Sequence, residues 1–407
     1  MMDILVTTLG KTAKQGGRYS TLNYRFDDGF EFASSFFMQA LLEYRKHLGR
    51  TPDKVLVLGT ASSMWDALLE QTSLDDLELV ETLLRESKSG AVSAGTLKRL
   101  GYALAVLFGV DIQCVLIPLG RTSVEQAEVL RIIAEQIPEK ATVCFDVTHG
   151  YRTLPLLELL SVFYLIQVRQ ARISDIFYGA GDMKDEKTNP ATAPVIRLDF
   201  IKDMLAWLTT LPMAEKTGRF DKLAGLFPEE SPLAGALTRY SLHLRTNQTA
   251  AAHASAEEVA VLLQEPFADP VAELYRPALL SKLNWRSGDD LAVWQILSAK
   301  AALRAGDLLR ATVLLREARI SLELPPDQQA AWEAREQVNS KLNRDTDQHA
   351  ELLTALRNCL AHAAIPGSTS TGKKISRLLT DNVELTETLQ QIADQYYVQS
   401  RNRQTAQ

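Results

Sequence analysis

The stretch ATVCFDVTHGYRTLP, residues 141–155, decides how the chain is read. It begins as a short β-rich apolar run. It then places Asp146, Thr148, His149, Gly150 and Arg152 within seven residues, before a helical stretch over 154–168. A strand that empties an acid, a hydroxyl, an imidazole and a guanidinium into a strand-to-helix turn is either an active site or a site for a phosphate-bearing ligand.

The surrounding sequence repeats the pattern. MDILVTTLG (2–10), DKVLVLGT (53–60), IQCVLIPLG (112–120), ISDIFYGAG (173–181) and PVIRL (194–198) are apolar runs, most ending in Gly or Thr. Helical stretches lie between them at 30–48, twice within 74–108, at 124–137 and at 154–168. Runs apolar on both faces and separated by helices predict a Rossmann-like α/β domain, a doubly wound parallel sheet. Right-handed crossovers place all strand C-termini on one edge, where such sheets bind ligands.

Collected along that edge, the strand ends share one chemistry. The first gives Thr7, Thr8, Gly10, Lys11 and Thr12; the second gives Gly59, Thr60, Ser62, Ser63 and Trp65. The third gives Gly120, Arg121, Thr122 and Ser123, the fourth the cluster at 146–152, and the fifth Gly179 and Gly181. Glycines let a ligand approach the backbone, hydroxyls donate, and the helix N-termini behind them favour negative charge. Any one Thr or Gly is ordinary strand-end chemistry, and Asp146 or Thr148 would serve equally as helix caps. Five ends of the same character point to a nucleotide-like ligand. Gly-Lys-Thr at 10–12 is not a Walker A loop, because Leu5 stands where that motif needs its first glycine. No GxGxxG occurs. Asp146 and His149 form no obvious line to a nucleophile, so binding is the better reading of the turn.

With 407 residues the chain has room for two domains. Its 46% hydrophobic and 23% charged composition is ordinary for globular proteins. No run is long enough to cross a bilayer, and the N-terminus lacks a signal-peptide pattern, which together predict a cytoplasmic protein without membrane partners. Cys114, Cys144 and Cys359 show no metal-ligand spacing and read as reduced thiols. The net charge of −6, with acids outnumbering bases in both halves, excludes a broadly basic nucleic-acid-binding face. A polyanion would have to meet a local pocket.

Beyond residue 200 the strand signal disappears. VWQILSAKAALRAGDLLRATVLLREARISL (293–322) and HAELLTALRNCLAHAAI (349–365) have helical spacing. The domains expected are 1–200, a helical linker at 201–230, and an all-α domain at 231–407. Four of the six histidines (His47, His243, His253, His349) stand in mixed helical contexts and read as surface or packing residues. In RNCLAH, Asn358 and His362 fall at i and i+4 on one helix face, with Arg357 one position round. By spacing alone such a set is more often a solvated face.

DVTHGYR at 146–152 resembles the signature of the CRISPR-associated DxTHG proteins, whose N-terminal part is a CRISPR-associated Rossmann-fold (CARF) domain. LVTTLGK with Tyr19, VLGTASSMWD (57–66) and IPLGRTSVEQ (117–126) resemble the family's softer strand-end motifs in the same order. The resemblance covers about the first 200 residues. It implies that the sheet edge binds cyclic oligoadenylate, the messenger of type III CRISPR antiviral systems, across a homodimer; cyclic tetra-adenylate is the ring expected. It carries Lys11, Thr60, Ser62, Arg121, Thr148, His149 and Arg152 over as ligand contacts, and Thr8, Gly10, Ser63, Trp65, Gly120, Asp146 and Gly150 belong to the same binding set.

The helical half resembles a HEPN domain, whose ribonuclease signature is an Arg, then commonly Asn or His, then a His four to six residues after the Arg. That implies an allosterically activated, metal-independent RNA endonuclease acting on single-stranded RNA, with Arg357, Asn358 and His362 catalytic. Two copies of the motif would meet in one composite site of a homodimer or higher oligomer. RNA supplies its own 2′-hydroxyl nucleophile, so the protein must move protons and offset charge. An imidazole suits the first task and a guanidinium the second. Asn358 would orient the imidazole or hold phosphate. The products would be a 2′,3′-cyclic phosphate and a 5′-hydroxyl. No metal cluster is evident and no cofactor is expected beyond the allosteric activator. Glu317 is either a partner for Arg357 or a surface acid, and the surface reading is favoured. Two rivals remain: a messenger-binding protein with an inactive helical half, and a CARF ring nuclease using Lys11, Thr60 or His149. A dehydrogenase lacks its glycine fingerprint.

Overall fold

The computed structural model describes residues 2–10, 19–69, 74–150, 154–344, 347–364 and 367–405. The chain divides into two compact units after Lys202.

Eight strands form one sheet in the first unit: β1 (Asp3–Leu9), β2 (Leu22–Arg25), β3 (Glu31–Ser34), β4 (Lys54–Gly59), β5 (Asp111–Leu116), β6 (Thr142–Asp146), β7 (Arg172–Gly179) and β8 (Thr192–Arg197). Their order is β3-β2-β8-β7-β6-β1-β4-β5. The run β5-β4-β1-β6-β7 is parallel throughout. Counted in chain order, its strands run 3-2-1-4-5, the Rossmann order, with the reversal between β1 and β6. The helices are α1 (Phe37–His47), α2 (Leu77–Ser89), α3 (Ala94–Phe108), α4 (Ser123–Gln136) and α5 (Leu154–Gln167). Leu5, Val55, Val57 and Cys144 share a core with Leu41 of α1, Leu83 of α2 and Leu100 of α3. The alternate residues Ile4, Val6, Leu56, Leu58 and Phe145 are buried too, so both faces of the sheet are covered.

The edge beyond β7 departs from the expected all-parallel sheet. β8 runs antiparallel to β7, because their connection holds only a short 3-10 turn at Gly181–Met183 and no crossover helix. β2 and β3 form an antiparallel hairpin where a helix over 30–48 was expected; that helix starts only at Phe37. The hairpin turns at Asp27-Asp28-Gly29, with Gly29 at φ +87°.

The second unit is all-helical. α6 (Asp199–Thr217) enters it and α7 (Phe220–Ala224) follows. Next come α8 (Pro232–Arg245), α9 (Thr249–Leu262), α10 (Pro270–Ser281), α11 (Leu291–Ala305) and α12 (Leu308–Ser321). The chain ends in α13 (Trp332–Arg344), α14 (Gln348–His362), α15 (Ser370–Leu378) and α16 (Asn382–Thr405). The segment expected as a linker is helical, and its Trp207, Leu211, Phe220 and Leu223 enter a core with Leu237 and Tyr240. A second core joins Ile296, Leu315, Leu353, Leu356, Leu389 and Ile392 from α11, α12, α14 and α16. The buried Leu352, Leu353 and Leu356 anchor α14 and leave its other face to solvent.

Candidate functional site

At the reversal between β1 and β6 the two strand ends are latched together. Thr7 stands opposite Asp146 in the ladder and donates its Oγ1 proton to Asp146 Oδ2 at 2.6 Å. The other carboxyl oxygen accepts from Thr148 N at 2.9 Å. Thr148 Oγ1 in turn accepts from Gly179 N on β7 at 2.7 Å. Thr8 Oγ1 donates to the His149 carbonyl. A Cβ at Gly10 would stand 2.7 Å from Gly150 N, so this crossing of two backbones requires glycine at position 10.

His149 is turned inward. Its Nε2 accepts from Phe37 N at the start of α1, at 3.3 Å, and its ring lies 5.1 Å from that of Phe36. Burial lowers its pKa to about 4, so the imidazole is neutral at pH 7 and acts as an acceptor. Burial raises the Asp146 carboxyl to about 6, against the pull of Thr148 and Thr7.

After β4, Thr60 Oγ1 lies 3.2 Å from both Ser62 Oγ and Ser63 Oγ, and Thr60 N donates to Ser63 Oγ at 2.9 Å. Trp65 is fully buried in the core and donates Nε1–H to the Thr60 carbonyl at 2.8 Å. It therefore shapes the loop from below, with no face left for a ligand. After β5, Gly120 takes φ +72° and its carbonyl accepts from Gln126 Nε2 at 3.0 Å. Thr122 caps α4, and Arg121 extends outward, 74% exposed, with Glu125 at 3.7 Å. Lys11 and Arg152, expected to contact the ligand, lie outside the described residues, as does Thr12.

Sequence reasoning missed Glu158. This α5 carboxyl is 2% exposed, and neither oxygen makes a hydrogen bond of normal geometry among the described residues. Burial raises its pKa to about 8; the Thr8 hydroxyl offsets only part of that, and the Asp146 charge adds to it. A protonated acid thus sits behind the latch at pH 7. One acid in the otherwise apolar run LPLLELLSVFYLIQ was the available signal. The other side of α5 exposes Leu156, Leu160, Phe163 and Tyr164, a stripe at helical spacing that continues into Val168 just past its end.

In the second unit, Asn358 and His362 share one face at the C-terminal end of α14, and His362 is its last residue. His362 and Arg357 are exposed and Asn358 is half-buried. None of the three makes a hydrogen bond or ion pair among the described residues. Arg357 lines a cleft between α12, α13 and α14 that neither Asn358 nor His362 lines. Five residues along a helix turn through about 500°, which leaves Arg357 and His362 roughly 140° apart. Glu317 is paired with Arg335, not with Arg357. Among the described residues no three or more His, Cys, Asp or Glu side chains gather as a metal site, and no helix is long and apolar enough to cross a membrane.

A Rossmann-order sheet with a latched, glycine-crossed reversal point defines an α/β domain of the Rossmann-like class, in which ligands bind at that edge. Residues 4–181 match the family model for the CARF domain of the CRISPR system endoribonuclease Csx1, so an N-terminal CARF domain is present. A CRISPR-associated protein of Methanocaldococcus jannaschii is 23% identical over 274 residues, covering 61% of this chain. The match spans 42% of that relative's length.

Proposed function

We propose that the protein is a single-stranded RNA endonuclease of type III CRISPR antiviral defence, switched on by cyclic oligoadenylate and needing no metal. The messenger, cyclic tetra-adenylate in the first instance, binds the sheet edge of a homodimer. Its phosphates and riboses meet the backbone around Gly10 and Gly150, the Ser62 hydroxyl and the Arg121 guanidinium. Asp146, Thr148 and His149 hold that surface in shape. The exposed α5 stripe supports pairing of two CARF domains, which a symmetric ring requires.

The observation that carries the catalytic half is the end of α14. There a cation, an amide and an imidazole stand with no partners among the described residues, in an all-helical unit joined to a CARF domain. His362 moves the proton to or from the ribose 2′-hydroxyl or the 5′-leaving oxygen. Arg357 offsets charge on the phosphorane-like transition state, and Asn358 orients the imidazole or the phosphate. The angular separation of Arg357 and His362 on one helix supports a site completed by a second copy. The messenger activates by binding better to the state in which the two copies are aligned. Such a nuclease would work in the cytoplasm.

The test is to incubate labelled RNA with the full chain in EDTA, with and without cyclic tetra- or hexa-adenylate. The expected result is messenger-dependent cleavage leaving 2′,3′-cyclic phosphate ends and lost in His362→Ala. Tight messenger binding without cleavage by the unaltered chain would return the reading to a binding protein.

A further inference from the structure

We infer that the cleft between α12, α13 and α14 is an RNA subsite, which holds the nucleotide adjoining the scissile phosphate and stacks its base on Trp332. This rests on the nuclease reading of α14.

The cleft has a volume of about 320 Å³, at the lower end of the roughly 300–1,000 Å³ of small-ligand sites. Helical spacing aims three elements into it. Trp332, Arg335 and Asn339 recur at i, i+3 and i+7 along α13; Thr354 and Arg357 are i and i+3 on α14; Arg316 comes from α12. Arg316 is buried, and its partners include Thr354 Oγ1 at 2.7 Å and Asn339 Oδ1 at 2.6 Å. Burial lowers its pKa; the Glu317 carboxylate is the strongest influence opposing that shift, and the Arg357 charge adds to the lowering. Arg357, which forms no ion pair among the described residues, lines the same space, so a phosphate entering the cleft meets its guanidinium. Of the acids lining the cleft, Glu317 is engaged by Arg335 and Glu336 is exposed.

Trp332 is the second half of the argument. It is 77% exposed, the least buried of the large aromatic side chains among the described residues. An exposed indole in the same cleft as the Arg357 guanidinium is what a single-stranded nucleotide needs: a surface for the base and a cation for its phosphate. Duplex RNA would keep its bases stacked on one another and leave the indole unused. Arg357 belongs both to this cleft and to the α14 set, so a phosphate seated on it joins the subsite to the scissile bond.

The experiment uses the full chain carrying His362→Ala, saturated with cyclic tetra-adenylate and titrated with a fully 2′-O-methylated single-stranded RNA. Anisotropy and tryptophan emission are read together. Binding should quench emission. Adding Trp332→Ala should weaken binding about tenfold and remove most of the quench, while Trp332→Phe stays close to the parent. Melting temperature and oligomer mass should not change. Unchanged affinity in Trp332→Ala overturns the subsite, and so does dissociation of the oligomer, which would make Trp332 a contact between copies. Full-rate cleavage by Trp332→Ala in an otherwise unaltered chain overturns the subsite and spares the nuclease reading. Quenched, Trp332-dependent RNA binding with no cleavage by the unaltered chain overturns the nuclease reading and keeps the cleft as an RNA site with no scissile bond beside it.

Discussion

At the turn after β6, Asp146, Thr148 and His149 commit their polar atoms to β1, β7 and the start of α1. At the end of α14, Arg357, Asn358 and His362 commit none among the described residues. The two sets contain similar chemistry and are built for opposite tasks. The first fixes backbone; on the proposed function, glycines and hydroxyls are then in place before the messenger arrives, which reduces the ordering cost of binding. The second, on the same proposed function, presents side chains whose partners come from outside. Reactive residue types are therefore a poor guide to where a reaction occurs; whether their hydrogen-bonding capacity is already filled is a better one.

The sharpest consequence is a separation of activity from stability. His362→Ala and Arg357→Ala should each lower messenger-dependent cleavage by about 10²–10⁴-fold. Both should leave unfolding free energy within about 0.5 kcal/mol of the parent, because neither side chain is buried or bonded. Single-turnover cleavage and urea unfolding on the same preparations measure the two. A large stability loss at either position would break the comparison from the α14 side.

Asp146→Ala should behave in the opposite way. It leaves the Thr7 hydroxyl and the Thr148 N–H without their acceptor, at about 1–3 kcal/mol each, partly offset by releasing a buried carboxylate. A net loss of about 2–4 kcal/mol is expected, with messenger affinity falling as the latch opens. Normal stability with lost messenger binding would instead place Asp146 in direct contact with the ligand.

Glu158 gives the comparison a pH axis. Its pKa is raised from 4.5 to about 8 in the folded state, so the native chain holds a proton that the unfolded chain releases between those values. The resulting stabilisation is complete below pH 4.5 and is lost as pH rises through 8. Glu158→Gln keeps a neutral side chain at every pH. It should match the parent near pH 4.5 and then gain on it by about 1.4 kcal/mol per pH unit until the buried carboxyl itself ionises near pH 8. Urea unfolding of both proteins across that range tests this. Asp146 titrates in the same window with the same sign, so the difference between the two proteins is the quantity to follow. Parallel stability curves would mean that the carboxyl is solvated.

The parallel half of the sheet was legible because burial on both faces writes an unbroken apolar run, as in β1, β4 and β6. The β2–β3 hairpin was missed because Phe30, Phe32, Phe36 and Phe37 also suit a helix; the Asp27-Asp28-Gly29 turn was the stronger signal. For β8, the polar connection after β7 with no helical stretch pointed to an antiparallel return. At the sheet edge, residue types were readable and their direction was not. Nothing in the order of DVTHG says that His149 turns toward α1, or that Trp65 lies under its loop, because both follow from packing against segments distant in the chain. Glu158 was visible as a lone acid, and only burial gives it meaning.

The smallest expected effect separates scaffold from contact within the sheet edge itself. Arg121 is 74% exposed and its guanidinium reaches one carboxylate at 3.7 Å. Exposed pairs of that kind contribute about 0–1 kcal/mol, so Arg121→Ala should leave the melting temperature within about 2 °C of the parent. A guanidinium free to meet phosphate should still matter to a charged ring: messenger affinity should fall several-fold, and the loss should shrink at high salt, as expected for an exposed ionic contact. Isothermal titration with cyclic tetra-adenylate at two salt concentrations reads both effects. If Arg121→Ala binds as tightly as the parent, this guanidinium lies outside the messenger's site, and the cationic contacts expected there fall to Lys11 and Arg152.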